Sequence, residues 1–578
     1  MLKSKNAGLK LLLILFSILA SVKMLFVGFG LDEEYQLVMA YRNAMGDKLF
    51  LDMWEPHQSS AFLCTLLLKP YLMLFGTTGT VLYLRAWGTL LHLGVSVYLC
   101  HVLRNMIDRE YAWLLGLIYF NTIPKQMILP EFGIMQVWFY TLLSLFLIQY
   151  YQNGRKMRYL VFASLALMLN VLSYPSCLIL YPFVLIWIAC LSGKDKWRDM
   201  GIVTFLCILG GVGYLGMLLS YAPPETLFST ISLILNGDAT HTLSLGNKLW
   251  SVLTGSLYVA GLWTGCFAAS TIIGKLKHWD FQKIFFLTCV SSCAVELFYW
   301  IVLDSGYETM QLHLPVLAAM GFFSYQNASD SLSGEKLLCA RLLKFGMLGA
   351  ILCLLAVVYL TDLSFIPSIP HAMPAAFYGI TLFLLTLQDK PQTHSPNRFT
   401  LSQFPNGIKK DSARISALLI VWCLTAIIGK GYTMRGNMQY NNVLQSRGIL
   451  KHGPAAGCVS NYMGAYIYNN DYEDWQTYLK DGDKVLIVIK QVMNPGTVQY
   501  LFKDVEISHF SIINPTVYDE RLLEYWEMYP HKKPNVIIVD CWYGQLLEDP
   551  DSWIMQYIEN DFAYTQVNDG SYIRIYRR

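Results

Sequence analysis

Residues 11–35 read LLLILFSILASVKMLFVGFGLDEEY, an apolar run that ends at three consecutive acids, Asp32, Glu33 and Glu34. A run of about twenty apolar residues is long enough to cross the hydrocarbon core of a bilayer as a helix. Lysines precede the run, and no small-residue cleavage site occurs before Gly30, so we predict an uncleaved anchor. The chain therefore begins with a transmembrane helix, and the acids mark the point where that helix meets water.

The rest of the chain repeats this pattern. Of its 578 residues, 54% are hydrophobic and 14% are charged, and the mean hydropathy is +0.39, whereas soluble proteins carry about 25% charged residues. Twelve further apolar segments lie near residues 81–103, 111–126, 131–150, 159–173, 176–191, 200–221, 249–273, 284–303, 313–325, 345–361, 372–388 and 414–430. We therefore predict a polytopic α-helical membrane protein with about thirteen transmembrane helices. The net charge of +3 is too small and dispersed to favour a nucleic-acid partner.

Lysine and arginine side chains are concentrated on alternate connections between these segments. If the N-terminus is cytoplasmic, the cytoplasmic connections hold 22 of these side chains, and the opposite connections up to Pro370 hold 5. Because positive charge is retained on the cytoplasmic side, this asymmetry predicts a cytoplasmic N-terminus in the plasma membrane. With thirteen crossings, the C-terminal part of the chain lies outside the cytoplasm.

The C-terminal part has the composition of a soluble domain. Its strand-like and helix-like runs are KVLIVIK (484–490), ERLLEYWEM (520–528), VIIVD (536–540) and residues 552–559. The segment YIRIY (572–576) alternates like an edge strand. We predict two domains, a membrane domain over residues 1–430 and an extracytoplasmic α/β domain over residues 431–578.

The first outer connection, residues 31–80, is long enough to hold structure of its own. Apolar residues recur at helical spacing from Glu33 to Met45, and Gly46 ends that run. A second apolar run extends from Ser59 to Phe75 and ends at Gly76. Two consecutive spans here would invert every later charge assignment, so we predict two helices lying at the membrane surface.

The order of short motifs in this loop resembles the first outer loop of the GT-C membrane glycosyltransferases. The most similar branch contains the aminoarabinose transferase of lipid A and the protein O-mannosyltransferases. The matching stretches are DEEY (32–35), GD (46–47), WEPH (54–57), LFG (74–76) and LRAW (84–87). Two departures stand out, because Pro56 and His57 replace the family's lysine after the loop glutamate, and Gln311 replaces an arginine before a later proline.

This resemblance implies an integral-membrane glycosyltransferase that uses a polyprenyl-phosphate-linked sugar and no nucleotide. The enzyme would transfer a hexosyl or pentosyl group on the outer face, with inversion at the anomeric carbon. Its acceptor would be a polymer, a lipid or a protein of the cell envelope, as in cell-wall biogenesis. Membrane lipid is a further expected partner.

Three acids are candidate catalytic residues. Asp32 ends the first span, where a partly desolvated carboxylate can accept the proton of the acceptor hydroxyl. Glu33 is the alternate for this role, and both acids could instead serve as a cap for the following helix. Glu131 resembles the family's proline–acid step, where a second carboxylate would steer the acceptor or help to hold a divalent cation.

The leaving lipid phosphate needs positive charge to stabilise it. Arg85, at the outer end of its span, is the first candidate, and the remaining substrate-binding candidates are Glu55, His57, Lys125 and His313. A divalent cation is a candidate cofactor, since carboxylate and imidazole groups lie in the same loops. Its candidate ligands are Asp32, Glu55, His57 and Glu131. Trp54 is a candidate for stacking on a sugar.

Two other classes of protein fit many membrane spans. A flippase or exporter of a lipid-linked saccharide should carry ionisable residues deep in its spans and internal repeats of helices. Glu296 is the clearest such residue, and the sequence shows no internal repeat. A non-catalytic scaffold for envelope assembly would use the C-terminal domain for binding and would tolerate replacement of the outer acids. The concentration of acids on one outer face favours the enzyme.

Overall fold

The structure is a computed structural model. It describes residues 7–29, 31–126, 128–237, 243–279, 281–304, 311–328, 332–361, 363–387, 412–434, 442–488, 505–512, 520–540, 553–562, 565–569 and 573–578. The α-helices are α1 (Ala7–Phe26), α2 (Leu31–Met45), α3 (Ala61–Phe75), α4 (Thr80–Leu103), α5 (Arg109–Asn121), α6 (Phe132–Gln152), α7 (Met157–Ser173), α8 (Leu180–Leu191), α9 (Lys196–Leu219), α10 (Pro224–Gly237), α11 (Leu245–Leu276), α12 (Phe281–Ile301), α13 (Leu314–Ala328), α14 (Gly334–Leu360), α15 (Phe365–Ser368), α16 (Met373–Leu387), α17 (Ser412–Tyr432), α18 (Tyr462–Tyr478), α19 (Glu520–Met528) and α20 (Trp553–Gln556).

Each of the thirteen predicted spans coincides with a helix in the described part of the chain. Nine helical segments there are long and apolar enough to cross a membrane, judged by length and composition. Large apolar side chains are exposed along them, among them Leu12 and Leu19 on α1 and Val212 and Leu215 on α9. Such exposure is expected where lipid covers the surface. The predicted polytopic helical fold, with an α/β region at its C-terminal end, is confirmed.

The two helices predicted in the first outer connection are α2 and α3. Gly46 follows α2 and Gly76 follows α3, with φ values of 117° and 67°. Glycine favours such positive φ angles because it has no Cβ atom, and it commonly ends helices in this way. The segment Gln58–Phe75 also has the length and hydropathy of a span, so the location of α3 at the membrane surface stays a prediction.

The connections predicted to lie outside meet at one end of the helix bundle. The Gln311 side chain before α13 donates a hydrogen bond of 3.1 Å to the carbonyl of Ile123 after α5. Val27 after α1 forms a β-bridge with Val459 of the C-terminal region. These contacts agree with the prediction that alternate connections lie on the same side of the membrane. Which side faces the cytoplasm stays a prediction from charge.

The C-terminal region contains a two-stranded and a five-stranded sheet among its described residues. The strands are β1 (Gly448–Ile449), β2 (Val459–Ser460), β3 (Lys484–Val488), β4 (Glu506–Ile507), β5 (Val536–Asp540), β6 (Thr565–Asp569) and β7 (Ile573–Arg577). The larger sheet has the order β4-β3-β5-β7-β6, in which β3 runs parallel to β4 and β5 while β7 is antiparallel to β5 and β6. The predicted strand residues 489–490 and Tyr572 lie outside the described residues.

The two faces of this sheet are covered by different helices. Val485 and Ile487 on one face belong to the same buried cluster as Trp475 of α18. Leu486 on the other face belongs to a cluster with Trp526 of α19. Burial on both faces explains why β3 and β5 read as continuous apolar runs rather than as alternating ones.

The prediction that YIRIY forms an edge strand is wrong. Strand β7, which contains most of this segment, pairs with β5 on one side and with β6 on the other. Within the described residues, the two edge strands of this sheet are β4 and β6, and the sequence pattern predicted neither of them. Alternation indicates that one face of a strand is buried, but it does not reveal how many neighbouring strands bind its backbone.

Candidate active site

Asp32, Lys125 and Glu131 come together at the end of the bundle where the connections predicted to lie outside meet. The Lys125 Nζ atom lies 3.4 Å from Asp32 Oδ2 and 3.9 Å from Glu131 Oε2. The Glu131 side chain is fully buried, whereas the Asp32 side chain is 17% exposed. We call these three residues the acid–lysine cluster. Asp32 is its most accessible member, so it is the carboxylate that a ligand can approach.

The backbone around Lys125 and Glu131 fixes this cluster. Lys125 and Gln126 both have φ of 54°, in the left-handed region that non-glycine residues rarely adopt. Glu131 caps α6, because its carboxylate accepts hydrogen bonds from the backbone N–H groups of Gly133 and Ile134 at 2.8 and 2.6 Å. A carboxylate at this helix end is stabilised by the N-terminal dipole. Glu131 is therefore held rigidly beside the lysine.

Glu33 has a different environment from its neighbour Asp32. The Arg85 guanidinium binds the Glu33 carboxylate with two hydrogen bonds, of 3.0 and 2.5 Å. Arg85 also donates to the carbonyls of Leu25 and Gly28, at 2.9 and 2.6 Å. Both side chains are buried. The arginine favoured by the sequence as phosphate partner thus joins α4 to the start of α2.

Aromatic rings connect the acid–lysine cluster to His57. The Phe132 ring lies 4.6 Å from Lys125 Nζ, and the His57 ring stacks on Phe132 with centroids 4.3 Å apart and planes 2° apart. The Tyr174 ring lies 4.6 Å from His57. His57 and Tyr174 also line a cavity of about 540 Å³, together with Glu55, Ser59, Lys248 and Thr361. We call this space the polar cavity, after the charged and hydroxyl side chains that it holds within an otherwise apolar lining.

A second, apolar space adjoins the polar cavity. It has a volume of about 690 Å³ and is lined mainly by apolar residues of α7 and α9, including Leu165 and Ile208, whose side chains are exposed. The two spaces share Phe50, Ser59 and Pro175 in their linings. We call this second space the apolar groove. A chain-like apolar molecule in the groove would place its polar end in the cavity.

Glu55 lies on the wall of the polar cavity but is 4% exposed. Its carboxylate accepts hydrogen bonds from the Tyr35 hydroxyl at 2.9 Å and from the backbone N–H of Ile512 at 2.5 Å. Burial raises the pKa of Glu55 to about 6, because the charged form is poorly solvated there. Glu55 thus binds both α2 and the C-terminal region.

The structure does not bring His313 to the acid–lysine cluster. The described contacts of its side chain are with Glu296 of α12, where the His313 Nδ1 and Glu296 Oε1 atoms are 2.6 Å apart, and with the ring of Trp422 at 5.6 Å. The pair lines a separate cavity of about 20 Å³. Glu296, the acid within a span that would favour a transporter, is therefore already paired with His313.

The cluster does not fit a divalent cation. The Lys125 ammonium lies between the two carboxylates that a metal ion would need, and like charges repel. Within the described ranges, no three His, Cys, Asp or Glu side chains gather closely enough to hold a metal ion. The candidate ligands Glu55 and His57 have hydrogen-bonding and stacking partners of their own.

Sequence reasoning did not select Phe132, Tyr174, His371 or Gln136. His371 Nδ1 lies 2.8 Å from Gln136 Oε1, and the His371 ring packs edge-on against Tyr174 with centroids 5.6 Å apart. Polar residues inside apolar spans are costly and mark internal contacts. That signal, applied to Gln136, could have identified this wall of the site.

The prediction that Trp54 stacks on a sugar is wrong. Its ring is 5% exposed and stacks on Phe510 of the C-terminal region, with centroids 4.7 Å apart. An aromatic residue beside a motif can be a buried anchor as readily as a ligand platform. The short motif gave no means of distinguishing the two.

The sequence matches no family model and no curated protein. Among solved structures, the chain is similar to the Archaeoglobus fulgidus oligosaccharyltransferase, at 12% identity and a TM-score of 0.46, over 97% of this chain and 72% of that chain. It is also similar to ArnT from Cupriavidus metallidurans bound to undecaprenyl phosphate, at 12% identity and a TM-score of 0.44, over 99% and 98% of the two chains. Both proteins are members of the GT-C superfamily, which the first outer loop resembles. At these identities and TM-scores, a function has to be argued from the site.

Proposed function

We propose that this protein is an integral-membrane glycosyltransferase that uses a polyprenyl-phosphate-linked sugar. It transfers a hexosyl or pentosyl group to an envelope acceptor (a polymer, a lipid or a protein) outside the cytoplasm at the plasma membrane. The observation that supports the proposal is the junction of the polar cavity with the apolar groove, where the rings of His57 and Phe132 connect the cavity wall to the acid–lysine cluster that contains Asp32. A donor with a long apolar chain and a polar head would match this arrangement, with the chain in the groove and the head in the cavity.

In this proposal the polyprenyl chain lies in the apolar groove between α7 and α9. The phosphate and sugar occupy the polar cavity, where Lys248 and His57 supply positive or hydrogen-bonding groups. Lys125 is the cation nearest to the proposed base, and it compensates the charge that develops on the leaving phosphate. Lys125 takes this role in preference to Arg85, whose donors are engaged with Glu33 and two carbonyls.

Asp32 is the proposed general base. It accepts the proton of the acceptor hydroxyl while the acceptor oxygen bonds to the anomeric carbon. The bond from that carbon to the phosphate oxygen breaks at the same time, and the polyprenyl phosphate leaves with the electron pair. Attack from the opposite face inverts the anomeric configuration. No nucleotide and no metal ion enters these steps.

The remaining predicted residues take positioning roles. Glu131 caps α6 and holds the lysine. Glu33 and Arg85 join α2 to α4, and this fixes the backbone of Asp32. His313 pairs with Glu296 away from the cluster. That pairing favours an enzyme over a flippase or an exporter, because a transporter would use a deep acid as part of a moving pathway.

The test is transfer by the purified protein in liposomes. A panel of polyprenyl-phosphate hexoses and pentoses is supplied with extracted envelope material, and release of polyprenyl phosphate is measured alongside mass spectrometry of the acceptor. Wild type should release lipid phosphate, and Asp32→Asn should release it about 10²–10⁴-fold more slowly. Asp481→Asn, an exposed acid of the C-terminal region, is the matched control. Movement of intact lipid-linked sugar across the bilayer without release would instead support a flippase.

A further inference from the structure

Trp54 comes from the first outer connection but is part of the core of the C-terminal region. It belongs to the buried cluster that contains Leu486 of β3 and Ile537 of β5. Its ring stacks on Phe510 and meets Tyr525 of α19 edge-on, with centroids 4.7 and 5.4 Å apart. Its backbone N–H donates to the Phe510 carbonyl at 3.1 Å. The C-terminal core is therefore completed by a residue of the membrane domain.

Charged residues reinforce this junction around Trp54. Arg42 of α2 donates to Asp47 at 2.6 Å and to the carbonyl of Asp52 at 2.7 Å. Lys532 of the C-terminal region lies 3.6 Å from a carboxylate oxygen of each of these acids and 3.2 Å from Glu506 beside it. Lys532 is buried, so water screens these attractions weakly. The first outer connection is thus held on both sides of its Gly46 turn.

The residues directly after Trp54 reach the proposed donor site. Glu55 accepts the Ile512 N–H at 2.5 Å, and it lines the polar cavity. His57, two residues further on, stacks on Phe132 beside the acid–lysine cluster. One short segment therefore joins the core of the C-terminal region to the wall of the polar cavity. A shift at one end has to move the other.

We infer that the Phe510–Ile512 segment of the C-terminal region is a positioning element of the donor site, which acts by anchoring Trp54 and Glu55 and so fixes His57. This inference rests on the proposed function. Trp54, Glu55 and Phe510 are positioning residues in it, and none of them exchanges a proton with the substrate. The C-terminal region then contributes to donor recognition. Loosening the anchor raises the KM for the lipid donor, and this rise occurs even where the protein stays folded.

The first experiment compares two tryptophans that cover opposite faces of the same sheet. Trp54→Ala and Trp475→Ala both remove a buried indole from the C-terminal core. Donor KM, kcat and melting temperature are measured on the full-length proteins in liposomes. We expect Trp54→Ala to raise the donor KM at least tenfold, and Trp475→Ala to change it less than threefold at a similar loss of melting temperature. Equal KM values at equal melting temperatures would overturn the inference.

A double-mutant cycle between Trp54 and Phe510 locates the anchor without relying on a severe variant. Trp54→Phe and Phe510→Leu both keep an apolar side chain, so the protein should fold. Residues that act through one contact give non-additive effects, so the double variant should raise the donor KM by clearly less than the product of the two single effects. Multiplicative effects would contradict a shared anchor.

Glu55 provides the readout that separates positioning from catalysis. Glutamine retains a carbonyl oxygen for the Ile512 N–H, whereas alanine retains no acceptor. We expect the kcat/KM of Glu55→Gln to be at least tenfold higher than that of Glu55→Ala. Equal losses in both variants would mean that the carboxylate itself is required, and this would contradict a positioning role for Glu55. If wild type transfers no sugar from any donor, the proposed function itself is wrong. That result differs from a failure of the positioning inference, in which wild type is active and the variants do not show the expected differences.

Discussion

Asp32 and Glu33 are adjacent in the chain, but their side chains have different surroundings. The Glu33 carboxylate is buried against the Arg85 guanidinium with two hydrogen bonds. The Asp32 carboxylate is partly exposed and has the Lys125 ammonium at 3.4 Å. A proton acceptor must be reachable by the substrate, so the accessible acid is the better base. This contrast leads to opposite expectations for the two neutral variants.

Asp32→Asn should lower sugar transfer by about 10²–10⁴-fold, the usual contribution of a general base, with little change in melting temperature. Glu33→Gln should instead destabilise the protein by about 3–5 kcal/mol, because it leaves a buried guanidinium without its carboxylate. Turnover per folded molecule and thermal melting, measured on the same samples, distinguish the two effects. Transfer by Asp32→Asn within about threefold of wild type would remove Asp32 from the catalytic role.

Glu55 should make stability depend on pH over a defined window. Burial raises its pKa from 4.5 to about 6, so between these values the folded state binds more protons than the unfolded state. The contribution of the protonated carboxyl is complete below pH 4.5 and is lost as the pH rises through 6. The loss amounts to about 2 kcal/mol.

The measurement is the melting temperature of wild type and Glu55→Gln at several pH values. Wild type should lose stability relative to the variant as the pH rises from 4.5 to above 6, since glutamine does not titrate. Other groups titrate equally in both proteins, so the difference isolates Glu55. A difference that stays constant across this range would show that Glu55 keeps an ordinary pKa.

Helices α7 and α9 line most of the apolar groove, and α9 contributes two glycines to the lining. Gly211 of α9 lines the groove, and a Cβ atom there would meet nothing within 4 Å. Gly213, two residues further along the same helix, is equally exposed and open but is not part of the groove lining. The two glycines therefore form a matched pair for substitution.

Gly211→Leu should raise the KM for the lipid donor by about tenfold with kcat nearly unchanged. A tenfold loss corresponds to about 1.4 kcal/mol, or roughly two displaced methylene groups of the polyprenyl chain. A change in KM alone is the signature of lost ground-state binding. Gly213→Leu is the control and should behave as wild type. The same KM in both variants would place the lipid chain elsewhere.

At the scale of the whole molecule, the distribution of charge predicts an orientation in the membrane. Twenty-two Lys and Arg side chains on one set of connections against five on the other predict a C-terminal region outside the cytoplasm. A reporter that is active only outside the cytoplasm, fused after the exposed Arg578, should be active. A reporter that requires the cytoplasm should be silent at that position. The reverse pattern would place the acid–lysine cluster on the cytoplasmic side, because the C-terminal region contacts the connection that contains Asp32 and Glu55.

The sequence by itself determined the helices and the α/β character of the C-terminal region. Apolar runs long enough to span a bilayer have one stable solution in lipid, because every backbone group must find its partner within the helix. The motifs of the first outer connection predict Asp32, Glu55 and His57 as site residues, and that assignment stays a prediction. Local pattern was sufficient for the helices and strands, since each depends on residues close together in the chain.

Only the tertiary structure decided which charges are available and what each residue contacts. Glu33 and Arg85 are 52 positions apart, and Glu55 and Ile512 are 457 apart. Helical spacing and hydropathy carry no information about such pairs, because the packing of whole elements brings them together. The same holds for Trp54, which looks like a ligand platform in a motif but is buried in the core of the C-terminal region. A charged or aromatic side chain acquires its role from its partners, and those partners are determined by the fold.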